Sequence, residues 1–155
     1  MRWRATATHS GSTTSITAQA TASEPPARPD KVTGPAPGDR EVNQLAGLVS
    51  QSGNVSCMID ADLARYDIID RDWSRPARPA DCEWDYGHPI SVASGESAQL
   101  MCAGDTAFGA DEVLPYGESI TAGLLRCESA ESCITCRDVR TSDGFSISRQ
   151  AYQLF

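Results

Sequence analysis

The sequence predicts a mostly β fold: a small antiparallel β-barrel or sandwich stapled by disulfides, behind a disordered N-terminal segment. Three observations carry that expectation. All six cysteines lie between Cys57 and Cys136. Short apolar runs alternate with Gly, Pro, Asn, Asp and Ser turn residues, and no long helical period interrupts them. The composition also breaks near residue 43. Before it the chain is rich in Thr, Ser, Ala and Pro; after it come every aromatic except Trp3 and most of the Val, Ile and Leu.

That break sets the domains. Residues 1–43 cannot bury enough apolar surface to offset their ordering entropy, so they read as a disordered leader and linker. Within them, Pro25 to Pro37 form an extended, turn-prone spacer. Residues 44–155 read as a single β domain with room for one modest core. The net charge of −8 is uneven. Five basic residues and four acids up to Asn43 leave −9 for the domain. A surface that acidic does not suit a phosphate backbone, so nucleic acid is not an expected partner.

From the domain start, Glu41–Ser50 fits a short helical turn or a first strand, with Gly47 weakening the helix. Val55–Ile59 and Leu63–Ile69, joined at Asp60-Ala-Asp62, read as a hairpin that makes positions 57 and 66 neighbours. Asp70–Pro89 reads as irregular, because Pro76, Pro79 and Pro89 argue against a central strand. Cys82 is placed to tie that loop down. Ile90–Ala93 and Ser97–Ala103 form the next pair around Ser94-Gly95-Glu96. Ser119–Cys127 and Ile134–Val139 follow. Gly144–Arg149 alternates cleanly with period 2, and Ala151–Phe155 is expected to pack an aromatic pair on the core. The sum is six or seven strands.

Cysteine density points to a disulfide framework and an oxidising compartment. Met1-Arg-Trp-Arg4 and Ala20-Thr-Ala22 resemble the ends of an export signal, but the stretch between them is polar. No run of about 18 apolar residues is present, so no membrane span is expected.

The chemistry-bearing types are sparse. Cys133-Ile-Thr-Cys136 lacks the helix N-terminus that a redox pair needs. Cys127, Cys133 and Cys136 give three sulfurs where zinc needs four ligands, and the two histidines are His9 in the leader and His88 in a loop. Asp60, Asp62, Asp67, Asp70 and Asp72 lack the calcium-loop glycine and read as solvated turn acids. No metal and no cofactor are expected. Trp73, Trp84, Tyr86 and Tyr116 lie in or beside loops, where they would either cap the core or form a stacking patch for a glycan or protein. No catalytic residue stands out.

Several stretches then come in a recognisable order: Ser52-Gly-Asn-Val-Ser-Cys57, Arg71-Asp-Trp73 before a Pro-rich turn and Cys82, Cys102-Ala-Gly-Asp-Thr106, Leu114-Pro-Tyr-Gly117, Arg126-Cys127, Thr135-Cys136 and Gly144-Phe-Ser-Ile-Ser-Arg149. Together they resemble a family of uncharacterised secreted, cysteine-rich actinobacterial proteins known as a domain of unknown function. The resemblance covers about Ala46 to Phe155. It implies export, a cell-envelope or extracellular setting, and no assigned activity. It also implies bridges at positions 57 with 66, 82 with 102 and 127 with 136. Here position 66 is Tyr66, and Cys133 stands where the family has glycine. The paired change leads to the expectation that Cys57 bridges Cys133, which requires Cα atoms within about 7 Å.

The resulting expectation is an exported, monomeric, non-catalytic module of the cell envelope or extracellular space, binding an envelope component, glycan or protein. The alternative is an extracellular hydrolase using loop carboxylates.

Overall fold

Alternation of apolar and polar residues sorts this chain into two sheets. The computed structural model describes residues 38–155, and expectations for the leader, its export-like ends, His9 and most of the Pro-rich spacer lie outside them. The strands are β1 (Asp39–Val42), β2 (Ala46–Ser50), β3 (Val55–Ile59), β4 (Leu63–Ile68), β5 (Asp85–Ala93), β6 (Gln99–Ala103), β7 (Val113–Leu114), β8 (Ser119–Ala122), β9 (Leu125–Ser129), β10 (Ile134–Asp138), β11 (Gly144–Ile147) and β12 (Tyr152–Leu154). No helix occurs among the described residues, and so none long and apolar enough to cross a membrane.

The first sheet runs β7-β2-β3-β4-β5-β6 and the second β1-β8-β9-β10-β11-β12. Neither closes on itself, so the architecture is a sandwich and not a barrel. The two orders are one topology used twice. Each sheet is an antiparallel five-strand meander with a sixth strand added in parallel at its edge. That sixth strand comes from the other half of the chain. β1 crosses to pair with β8, and β7 crosses to pair with β2. Parallel pairing needs a long connection, and here each crossover is the passage between sheets. Arg40 on β1 and Glu112 beside β7 hold equivalent positions in the two halves and form an ion pair with each other.

Facing rows fill the interior. In the first sheet Leu48, Cys57, Tyr66 and Ile90 stand side by side in register. In the second, Ile120, Cys127, Cys136 and Phe145 do the same. All eight are buried. The Tyr66 and Phe145 rings meet edge to face at 5.5 Å. Each large apolar side chain fully buried in this way stabilises by roughly 1.5–3 kcal/mol.

The outer faces differ. On the second sheet Arg126, Glu128 and Arg137 form a polar ion-paired face. On the first, residues 104–112 lie across the strands and bury Ser56, Arg65 and Asp67. Asp138 links the two sheets at their turns. Its carboxylate accepts the N–H of Gly95 at 2.7 Å, of Arg140 at 2.8 Å and of Thr141 at 3.3 Å, and these donors hold it below the usual carboxylate range.

Several expectations are corrected. The described strands number twelve, not six or seven. Ser119–Cys127 is two strands, because Gly123, at φ +57°, reverses the chain inside the apolar run. β5 passes through Pro89, where the ladder slips between Tyr86 and Ile90, and a bulge is where a strand accepts proline. Glu41–Ser50 holds the end of β1 and all of β2, so β1 falls within the segment read as disordered linker. Tyr152 packs on the core, but Phe155 is half exposed. Asp67 is no turn acid: it sits on β4 and is buried.

Candidate binding clefts and the cysteine framework

Two disulfides form, Cys82–Cys102 and Cys127–Cys136. The second joins directly opposed residues of β9 and β10, with Cα atoms 4.1 Å apart. Both fit an oxidising environment. The expected Cys57–Cys133 bridge is absent, and both thiols are free. Strand parity explains this. Ile134, Cys136 and Asp138 of β10 point inward, so Cys133, an odd step away, points outward. Cys57 points into the core from β3. Burial pushes its thiol up to about 11, although contact with the Tyr66 hydroxyl and the Leu48 backbone works the other way. That Tyr66 contact falls short of ordinary hydrogen-bond geometry, and the buried Tyr66 hydroxyl has no partner among the described residues.

Of the four loop aromatics, Trp84 and Tyr116 line different clefts. Trp73 is half-buried, packs on Tyr152 with ring centroids 4.7 Å apart, and donates its indole N–H to the Ser148 carbonyl at 3.0 Å. Arg71 lies over its ring. Trp73 therefore pins the loop after β4 to the β11–β12 turn. Tyr86 is half-buried on β5 opposite Cys102. Tyr116 stands before β8, its N–H bonded to Gln51. Only Trp84 offers an open ring, with 60% of the residue exposed.

Trp84 lies two residues past Cys82, and Gly104 two past Cys102, so one disulfide clamps both. The indole rests on Gly104: a Cβ there would sit 2.8 Å from the ring. Around it opens a cleft of about 570 Å³ reached by Arg78, Glu83, Asp85, His88, Asp105 and Thr106. Asp85 accepts from Arg75 at 3.1 Å and meets His88 Nε2 at 3.3 Å. His88 first and Arg75 second hold its carboxyl below the ordinary range. Asp105 is lowered in the same way by Arg65, whose Nη1 donates to it at 2.7 Å. Arg65 is itself buried and fixed by Asp67, and Asp67 also accepts the Ala107 N–H at 2.8 Å. Two ionised carboxylates thus stand in set positions beside an exposed indole. Arg78 and Glu83 carry no ion-pair partner among the described residues.

A second cleft, of about 330 Å³, opens at one end of the sandwich where turns from both sheets meet. Buried Val55, Ile134 and Ile147 form its floor. Asp70, Tyr116, Glu131, Cys133 and Arg149 stand around the opening. Among the described residues, no group of three or more metal-ligating side chains comes together.

The sequence placed Trp84 among candidates but did not separate it from the other three aromatics. The available signal was the shared two-residue offset from Cys82 and Cys102. The ion-pair network beneath it had none, because Arg65 and Asp67 simply read as the outward positions of β4. A family of unknown function (DUF6636) matches residues 44–155. No curated protein and no solved structure matches the chain.

Proposed function

The chain belongs to that family of unknown function, and from this premise we propose that it is a non-catalytic binding module that takes a glycan on Trp84. Its setting in this reading is the cell envelope or the space outside the cell, consistent with two disulfides in a small domain. The observation that carries the reading is the exposed indole clamped on Gly104 between ionised Asp85 and Asp105. A sugar ring presents C–H bonds on its faces and hydroxyls at its edge. An open aromatic face suits the first, and fixed carboxylates accept strong hydrogen bonds from the second. The disulfide and the Arg65 network hold these groups in place before any ligand arrives, which lowers the ordering cost of binding.

Neither of these two carboxylates suits the proton-donor role in the hydrolase alternative. Two-carboxylate hydrolysis needs one carboxyl raised in pKa so that it can donate a proton. Asp85 and Asp105 are both lowered.

The test is retention of the full chain on insoluble cellulose, chitin, xylan and peptidoglycan, comparing wild type with Trp84→Ala and with Tyr116→Phe. At least one polysaccharide should retain the wild type and the Tyr116 variant, with Trp84→Ala about tenfold weaker. Retention that ignores Trp84→Ala, or none on any polysaccharide, overturns the reading. Release of reducing ends during the assay would establish the hydrolase instead.

A further inference from the structure

We propose that the end cleft is a separate binding site for a short aliphatic primary amine, taken up as its ammonium ion. It shares no lining residue with the Trp84 cleft, so it does not depend on the glycan reading. Its volume, about 330 Å³, admits a small molecule and little more.

Two features set the class of ligand. Val55, Ile134 and Ile147 give a small apolar floor, and Ser50, Ser52, Asn54, Ser132, Ser148 and Gln150 give polar walls, so the cleft suits a short hydrocarbon body that ends in a polar group. The opening carries Asp70 and Glu131, whose carboxylates have no partner among the described residues. Asp70 does bond Asn54, but through its backbone N–H and carbonyl, which leaves the carboxylate available. The one cation at the opening, Arg149, is paired with Asp72 at 3.3 Å. An apolar floor beneath two uncommitted anions and a neutralised cation complements an alkyl chain ending in –NH₃⁺. It repels a carboxylate of the same shape. An alcohol of the same length would gain the floor and lose the charge-assisted hydrogen bonds.

Cys133 at the opening supplies a reporter that a purely structural cleft would not move. It is the accessible free thiol, while Cys57 is buried.

The experiment titrates the oxidised full chain with n-pentylamine, 1-pentanol and pentanoate. It follows the methyl signals of Val55, Ile134 and Ile147 and the rate at which iodoacetamide alkylates Cys133. Pentylamine should give saturable shifts and slow the alkylation. Pentanol should bind at least about tenfold more weakly, and pentanoate should not bind. Asp70→Asn with Glu131→Gln, two exposed positions whose exchange leaves the fold intact, should cost pentylamine the same factor. Equal binding of pentanol, any saturable binding of pentanoate, no saturable shift with pentylamine, or an unchanged double variant each overturns the proposal.

Discussion

In the β3–β4 hairpin Cys57 stands opposite Tyr66, and in the β9–β10 hairpin Cys127 stands opposite Cys136. The two hairpins hold the same place in their sheets, and both put a glycine four residues before the first cysteine, Gly53 and Gly123. The spacing across each pair is the same nine residues. One site is closed covalently; the other holds a free thiol against a phenol. The difference shows that this position can be filled in two physical ways. A disulfide acts mainly on the unfolded chain, by shortening the list of conformations it can sample. Tyr66 acts on the folded chain, by burying a large ring against Phe145. The second solution leaves a cost behind, a buried hydroxyl with no partner.

The sharpest way to break that comparison is to remove sulfur from each hairpin in turn. Replacing Cys127 and Cys136 together with alanine opens a short loop and should cost roughly 3 kcal/mol. Cys57→Ala removes a small buried group with no crosslink and should cost about 1 kcal/mol. Urea denaturation of wild type and the two variants checks this, with the bridge variant losing the larger share of midpoint. Equal losses would mean that packing, not the crosslink, holds the second hairpin.

Alkaline pH separates the hairpins by another route. The Cys57 thiol is raised from 9.0 to about 11 by burial, while Cys127 and Cys136 do not titrate. A folded-state pKa above the unfolded value means that the folded chain keeps its proton longer. The stabilisation is complete below pH 9 and is lost as pH rises towards 11, by at most roughly 2–3 kcal/mol. Tyr66, also raised by burial, adds loss of the same sign. Stability measured from pH 8 to 11 should therefore fall more steeply in wild type than in Cys57→Ala. Parallel curves would show that Cys57 titrates alike in the folded and unfolded chains.

Much of this hairpin pair was legible from sequence. The turn at Asp60-Ala-Asp62 and the apolar runs on either side of it give β3 as observed and β4 to within one residue of its end. The second half was less readable. Leu124 and Leu125 continue an apolar run straight through the Gly123 turn, so two strands looked like one. Pro89 argued against a strand, and only the bulge that accommodates it reveals one. The strand exchange left no local trace, because β1 and β7 pair with partners about 80 and 64 residues away. The Trp84 cleft is half visible: the aromatic is plain in the sequence, but its support comes from Arg65 and Asp67, whose burial depends on a loop folding over the sheet. Cys133 misleads because the paired change at positions 66 and 133 suggests a new bridge, while the parity of β10 turns Cys133 away from Cys57.

The smallest change gives the finest test of the comparison. Tyr66→Phe keeps the ring, the edge contact with Phe145 and the volume, and removes only the oxygen. If the hydroxyl is as unpartnered as the geometry shows, its loss relieves a desolvation cost, and stability should stay level or rise by up to about 1 kcal/mol. If the Cys57 thiol is a true partner, the same change should cost about 1 kcal/mol, and the Cys57→Ala, Tyr66→Phe double variant should show coupling between the two sites. The sign of that one measurement decides whether the β3–β4 hairpin carries a polar pair in place of the missing bridge, or a hydrocarbon filler whose oxygen is tolerated.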